Sequence, residues 1–163
     1  MRLDSMQDLF VHELRDLYSA ETQLLKALPK MASGAHDAEL RKGFETHLHE
    51  TQQQVARIED IFSAMGENPR GLTCKAMEGL IEEASEMLKE KGDATVLDAG
   101  IIGSASRVEH YEIAGYTFAH ALAMKLGDNR SADLLKASLA EETATEKKLH
   151  TSFEMLASKS VGR

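Results

Sequence analysis

The chain has 163 residues, of which 42% are hydrophobic and 28% charged, and its formal net charge is −8 at pH 7. Nucleic acids and anionic membranes both require a basic surface, so this acidic balance argues against either as a partner. The length fits one domain with its own core, which we expect to span residues 1–163.

Cysteine content and hydropathy indicate the compartment. The single cysteine, Cys74, cannot form a disulfide within the chain, which favours a reducing environment. No apolar run approaches the roughly 20 residues of a membrane span. The first residues also lack the apolar core of a signal peptide. We therefore expect a cytoplasmic protein.

Helical periodicity extends over nearly the whole chain and Pro occurs twice, so we expect an all-α protein. Four long segments repeat apolar residues in steps of three and four, and a shorter segment lies in mid-chain. We expect Gly34 to end the first helix and Asp37 to cap the second. The five predicted helices cover about residues 5–32, 38–65, 74–91, 95–126 and 131–158.

The connections between these helices predict their arrangement. Short turns at residues 33–37 and 127–129 make antiparallel hairpins of the first two and the last two long helices. The connection between the hairpins is long enough to run the length of the bundle. The expected fold is a ferritin-like four-helix bundle, built from two antiparallel hairpins with a long crossover that carries a short fifth helix.

Glutamates interrupt the apolar stripes of the long helices. Glu21 lies in the stripe of the first helix, Glu112 in that of the third long helix, and Glu142 and Glu146 in that of the last. Glu50 borders the stripe of the second helix. Glu21 and Glu50 are equally far from the first turn, and Glu112 and Glu142 from the second. Each hairpin therefore brings one pair to the same level, near the middle of the bundle.

Carboxylates gathered in a core cannot all be ionised without compensation, because repulsion and desolvation raise their pKa values. Protons, basic side chains or metal ions can compensate, and the basic residues fall outside these stripes. His47 lies on the same side of its helix as Glu50 and can bind a metal ion through a ring nitrogen. Glu109 and Glu146 are each either a metal ligand or a group that holds a ligand in place. Such a site suits two ions of iron or manganese and also accepts zinc.

The chain contains five distinctive segments: YSAETQLL from Tyr18, HLHET from His47, CKAMEGLIEE from Cys74, VEHYEIAGY from Val108 and EETATEKKL from Glu141. In this order, and over nearly the whole chain, they resemble the YciE/YciF-type ferritin-like proteins of bacteria. The resemblance implies a ferritin-like bundle, a homodimer, a dinuclear metal centre and an association with stress responses. The wider ferritin-like pattern has Glu-x-x-His on two helices, whereas Gln53 and Thr145 stand at those histidine positions here.

Three functions are consistent with these residues. We favour a metal-binding ferritin-like protein with a dinuclear iron or manganese carboxylate site that oxidises Fe(II) or removes peroxide or oxygen. The second is a structural or interaction bundle whose metal site is weak or degenerate. The third is a di-metal oxygenase or manganese catalase with a defined substrate. The sequence identifies no catalytic residue, so enzymatic turnover stays open.

Overall fold

The structure of the protein, a computed structural model, describes residues 2–160, which form five helices and no strand. The all-α fold class is therefore confirmed. The predicted boundaries agree with the structure within two residues, except at the end of the short helix. The helices are α1 (Met6–Gly34), α2 (Ala38–Met65), α3 (Lys75–Met87), α4 (Ala94–Leu126) and α5 (Asn129–Ser160).

Polar side chains and glycines determine where the helices begin and end. Ser5, Asp37 and Asp93 each precede a helix and accept hydrogen bonds from N–H groups of its first turn. Gly66 and Gly127 follow α2 and α4 with φ of 69° and 75°. Glycine adopts this left-handed conformation without the steric cost of a β-carbon, so both helices stop there.

Two predicted helix ends differ from the structure. Gly34 is the last residue of α1 rather than its cap, because the N–H of Ala35 still completes a helical hydrogen bond. The short helix ends at Met87, four residues earlier than predicted. Beyond it the chain tightens into a turn, in which the N–H of Lys89 bonds to the carbonyl of Glu86, three residues back.

The two hairpins close into a four-helix bundle. α1 packs against α4 and α2 against α5, while α3 in the crossover lies against α1 and α4. Asp98 of α4 holds the first turn in place, because its carboxylate accepts the backbone N–H groups of His36 at 2.8 Å and Asp37 at 2.7 Å. None of the described helices has an apolar stretch long enough to cross a bilayer.

The core consists of two apolar clusters with a polar layer between them. One cluster contains Leu24 and Ile101 and includes α3, and the other contains Leu14, Phe62 and Leu135. In every long helix, the residues between the two clusters include buried polar side chains. These are Glu21 in α1, His47, Thr51 and Gln54 in α2, Glu109 and Glu112 in α4, and Glu142 and Thr145 in α5.

Candidate metal centre

Four potential metal ligands form a buried cluster in the polar layer. His47 from α2, Glu109 and Glu112 from α4, and Glu142 from α5 each offer one ligand atom, and these atoms all lie within 4.8 Å of one another. Each of the four residues is at most 2% exposed. Three helices thus direct one imidazole and three carboxylates toward one point. This donor set is typical of iron, manganese or zinc sites.

The two nitrogens of the His47 ring contact different groups. Nε2 lies 3.2 Å from Glu109 Oε1 and 3.7 Å from Glu142 Oε2. Nδ1 lies 3.4 Å from both Glu50 Oε2 and Thr145 Oγ1. Burial lowers the pKa of His47, but the surrounding carboxylates, Glu109 foremost, raise it well above its ordinary value. Without a metal ion, the imidazole therefore carries a proton that offsets part of the negative charge.

Glu21 adjoins the cluster from α1, so that all four long helices contribute to the centre. Its side chain is fully buried, and Oε1 accepts a hydrogen bond from the phenol of Tyr116 in α4. Burial raises the pKa of Glu21 to about 7, although the Tyr116 hydrogen bond and the charge of His47 act in the opposite direction. Glu21 is thus partly protonated near neutral pH when no cation is bound.

Glu112 and Glu142 are the least compensated acids of the centre. None of their carboxylate oxygens receives a hydrogen bond from an N–H or hydroxyl group of the described residues. Burial raises the pKa of both carboxyl groups well above the ordinary value, and repulsion from neighbouring glutamates raises it further. The charge of His47 lowers the pKa of Glu142 without cancelling this shift. Both groups therefore favour the protonated form unless a cation binds.

The buried acceptors without donors fit a metal ion. A buried acceptor left without a donor costs about 1–3 kcal/mol, and more when it is charged. Among the side chains that the structure describes, residues 2–158, the acids of the centre contain six such oxygens: Oε2 of Glu21, Oε2 of Glu109, and both carboxylate oxygens of Glu112 and of Glu142. The positive charge of Arg57 interacts electrostatically with Glu21. Its guanidinium, however, is paired with Glu141 at 2.6 and 2.7 Å.

Glu50 and Glu146 border the cluster. The side chain of Glu50 is 24% exposed, and its Oε2 accepts the hydroxyl of Thr145 at 3.4 Å. The hydrogen bond from His47 lowers the pKa of Glu50, which keeps it ionised. The side chain of Glu146 is 22% exposed and accepts the hydroxyl of Ser106 at 2.9 Å. The roles predicted for both glutamates, as ligands or as groups that hold ligands, stay predictions.

The inward face of α5 is turned by about one residue from the predicted stripe, whereas that of α2 agrees with the prediction. The buried stripe of α2 passes through His47, Thr51 and Gln54, and Glu50 lies at its border as predicted. The buried stripe of α5 passes through Thr145 rather than Glu146. A stripe through these positions keeps unbroken steps of three and four with the apolar residues on either side. This spacing could have identified the inward-facing residue of α5 from the sequence, but it is polar, and polar residues are not counted in an apolar stripe.

The chain matches a described family over most of its length. Residues 5–161 match the family described as Domain of unknown function (DUF892). Protein YciF of Escherichia coli (strain K12) is 43% identical over 150 residues, which cover 91% of this chain and 90% of YciF. YciF is an E. coli stress protein, and its crystal structure matches this chain with a TM-score of 0.93 and 40% identity. The match covers 96% of this chain and 99% of that chain.

Two further solved structures have the same architecture. YcfI from Rhodopseudomonas palustris is 45% identical, with a TM-score of 0.88, and the match covers 93% of this chain and 98% of that chain. A dodecameric thioferritin, the bacterioferritin-related protein from Bacteroides fragilis, has a TM-score of 0.75 over 97% of this chain and 91% of that chain. It is 18% identical, so this likeness concerns the fold alone. The ferritin-like fold class is thereby confirmed.

Proposed function

The chain belongs to the DUF892 family, and we propose that it is a metal-binding ferritin-like protein with a dinuclear iron or manganese carboxylate site at mid-bundle. The single observation that carries this proposal is the set of buried carboxylate oxygens that no donor of the described residues reaches. A cation would satisfy these oxygens in their ionised form, and each buried acceptor left without a partner costs about 1–3 kcal/mol.

The geometry supports a division of the ligands between two ions. The four clustered residues, whose ligand atoms lie within 4.8 Å of one another, would hold one ion. Glu21, whose charge raises the pKa of Glu112, would serve a second ion beside it. Glu50 and Glu146 would add ligands or hydrogen bonds from the half-exposed edges. Iron is the favoured metal, with manganese next, and the same donors accept zinc.

Bound iron or manganese would supply one-electron chemistry toward Fe(II), peroxide or oxygen. The residues of the chain orient and shield this site. Tyr116 fixes one oxygen of Glu21, so that the other oxygen is left for a cation. The apolar clusters on both sides exclude water and strengthen the attraction between carboxylates and cations. Glu50 stays ionised at the edge, where it is placed to receive an incoming cation.

The proposed cellular setting follows from the relatives and the composition. YciF is described as a stress protein, and we extend a role in stress responses to this chain. The single cysteine supports a cytoplasmic location. We further propose a homodimer, and one ferritin-like domain over residues 1–163, of which the family match covers residues 5–161.

A structural or interaction bundle with a weak metal site is the second candidate. The observation that favours it is that protons alone can reduce the charge of the centre. The raised pKa of His47 makes the imidazole cationic, and those of Glu112 and Glu142 make the carboxyl groups neutral. Gln53 and Thr145 also stand where the wider ferritin-like pattern has histidines.

Metal analysis of protein purified without chelators separates the two candidates. We expect about two iron or manganese ions per chain in the wild type, measured by inductively coupled plasma mass spectrometry. The double variant Glu112→Gln, Glu142→Gln keeps the shape of both side chains and should lose this metal. A matched control, Glu154→Gln, removes a carboxylate on α5 that is 64% exposed, and should keep it.

The second candidate predicts a different result. The wild type would then be purified without metal, and adding Fe(II), Mn(II) or Zn(II) would leave its thermal midpoint unchanged. That outcome would reject the metal-binding proposal while leaving the bundle intact. Equal metal content in the wild type and the double variant would also reject it, because the metal would then bind elsewhere.

A further inference from the structure

A groove of about 690 Å³ runs along the surface between α2 and α5. On α2 its lining extends from Glu39 to Glu50, and on α5 from Ala144 to Met155. Each stretch measures about 16 Å at the helical rise of 1.5 Å per residue. Sites for small organic molecules have volumes of roughly 300–1,000 Å³. The groove therefore has the size and the elongated outline of such a site.

The floor of the groove is hydrocarbon. Leu40 and Phe44 of α2 and Leu149 of α5 line it, and each of them belongs to the apolar cluster on the α3 side of the polar layer. Met155, whose surface is 59% exposed, lies at one end. A ligand with an apolar body gains free energy here, at about 25 cal/mol for each Å² of apolar surface removed from water.

The rim of the groove carries three lysines in a chain whose net charge is −8. Lys42, Lys147 and Lys148 line the groove and are exposed. The ion pairs among the described side chains, residues 2–158, include none of the three ammonium groups. Two acids, Glu39 and Glu50, also line the groove, so the lysines outnumber them by one. Glu50 accepts a hydrogen bond from Thr145 and interacts with the charge of Lys148. The local charge complements an anion.

One end of the groove reaches the candidate metal centre. His47, Glu50 and Thr145 line the groove and contact one another at 3.4 Å. Through Nδ1, His47 contacts these two groove residues, and through Nε2 it contacts the buried acids. A molecule in the groove would therefore be separated from the centre by a single layer of side chains.

From these features we infer that the α2–α5 groove binds an elongated organic anion with an apolar body, such as a medium-chain carboxylate. The hydrocarbon lies along Leu40, Phe44 and Leu149, and the carboxylate lies at the lysine rim. This inference goes beyond the proposed function and does not require a metal ion. A neutral molecule of the same length lacks the attraction to the lysines, and a short anion lacks the apolar contact.

Titration of the purified wild-type protein with decanoate, below its critical micelle concentration, tests the inference. We expect saturable binding with NMR amide shifts confined to the groove, for example at Gly43 and Thr145. The matched alcohol, decanol, should bind about tenfold more weakly, because it cannot form charge-assisted contacts with the lysines. Decanoate that fails to saturate, or that shifts amides elsewhere in the bundle, overturns the inference.

Two pairs of variants locate the site. Lys147→Glu with Lys148→Glu should weaken decanoate binding about tenfold, while Lys136→Glu, exposed on α5 outside the groove, should not. Ala144→Trp should block decanoate and decanol alike, whereas Ala137→Trp, at another exposed alanine of α5, should block neither. Circular dichroism verifies that each variant is folded.

Two results of this comparison would count against the groove. Equal weakening by Lys136→Glu would show that general surface charge, not the groove, attracts the anion. A wild type that does not bind decanoate, together with an Ala144→Trp variant that changes from dimer to monomer in analytical ultracentrifugation, would show that a second copy of the chain covers the groove.

Discussion

Glu21 differs from the other buried acids of the centre because one donor, Tyr116, is dedicated to it. Glu112 and Glu142 have no such donor among the described residues. The cost of burying charge is therefore distributed unequally, and it falls most on Glu112 and Glu142, whose pKa values are raised by burial and by neighbouring glutamates. A bound cation would therefore stabilise the ionised forms of these two acids more than that of Glu21.

The stability of the chelator-treated protein should fall as the pH rises. Glu21 has a pKa of about 7 in the folded protein against an ordinary value of 4.5. Between these values the folded state binds more protons than the unfolded state, so the free energy of unfolding decreases with rising pH. The shift corresponds to on the order of 3 kcal/mol. The raised pKa values of His47, Glu112 and Glu142 extend the fall to higher pH.

Thermal midpoints at pH 5 and pH 8 measure this dependence, and the midpoint at pH 8 should be lower. In the variant Glu21→Gln the side chain can still accept the Tyr116 hydrogen bond but does not titrate in this range, so the dependence should be shallower. A midpoint that rises with pH in the wild type would contradict the prediction.

Removing the phenolic hydroxyl of Tyr116 should destabilise the metal-free protein. Tyr116→Phe leaves Oε1 of Glu21 without its donor in a fully buried position, at a cost of about 1–3 kcal/mol. Urea denaturation followed by circular dichroism gives the difference. Tyr18→Phe is the matched control: its hydroxyl bonds to Glu59 at 2.9 Å where water is accessible, so its loss should cost less. Equal costs would argue against a special role for Tyr116.

At the scale of helices, the contact between α2 and α5 combines a groove with a strong ion pair. Arg57 of α2 and Glu141 of α5 form two parallel bonds of 2.6 and 2.7 Å. Gln54 donates to the same carboxylate at 3.1 Å, and Arg57 donates to Ser138 at 3.2 Å. This network lies next to the polar layer and holds the two helices together where the buried stripe of α2 is polar.

A double-mutant cycle on Arg57 and Glu141 should give a coupling energy of about 1–2 kcal/mol, because the pair is bidentate and its side chains are 20% and 24% exposed. The same helix pair offers a matched control. Arg130 and Asp60 form a single contact of 2.6 Å with side chains 57% and 49% exposed. Their coupling should stay below about 1 kcal/mol. Couplings in the reverse order would refute this ranking.

At the scale of the molecule, stability and the centre reside in different parts of the fold. Two apolar clusters hold the bundle together at either side of the polar layer. The layer itself buries acids at a cost. Such an arrangement is typical of a protein whose fold does not depend on its site, and whose site is stabilised when a ligand binds.

Metal binding should therefore raise the thermal midpoint of the wild type. A free metal concentration 100-fold above Kd adds about 2.7 kcal/mol, which for a chain of this size raises the midpoint by about 5–10 °C. Calorimetry with Mn(II) or Zn(II) measures this shift. Glu112→Gln with Glu142→Gln should fold, match or exceed the metal-free wild type in stability, and show no shift. A double variant that does not fold would mean that these acids support the bundle itself.

The sequence by itself determined the helices, their pairing into hairpins and the level at which the acids gather. These predictions rest on local features: helical periodicity, capping residues such as Asp37, and short turns. Local features can be identified from a single sequence. The distance of Glu21 and Glu112 from their turns placed both in the layer between the two apolar clusters. The structure puts both there, fully buried.

Only the tertiary structure decided which polar side chains face one another. Successive residues of a helix point about 100° apart, so a stripe of α5 misplaced by one residue exchanges Thr145 for Glu146 as the inward group. The rotation of each helix depends on its neighbours, and α4 buries both Glu109 and Glu112 because it packs against three other helices. Those contacts join residues that are far apart in the sequence, so the spacing within one helix does not by itself determine them.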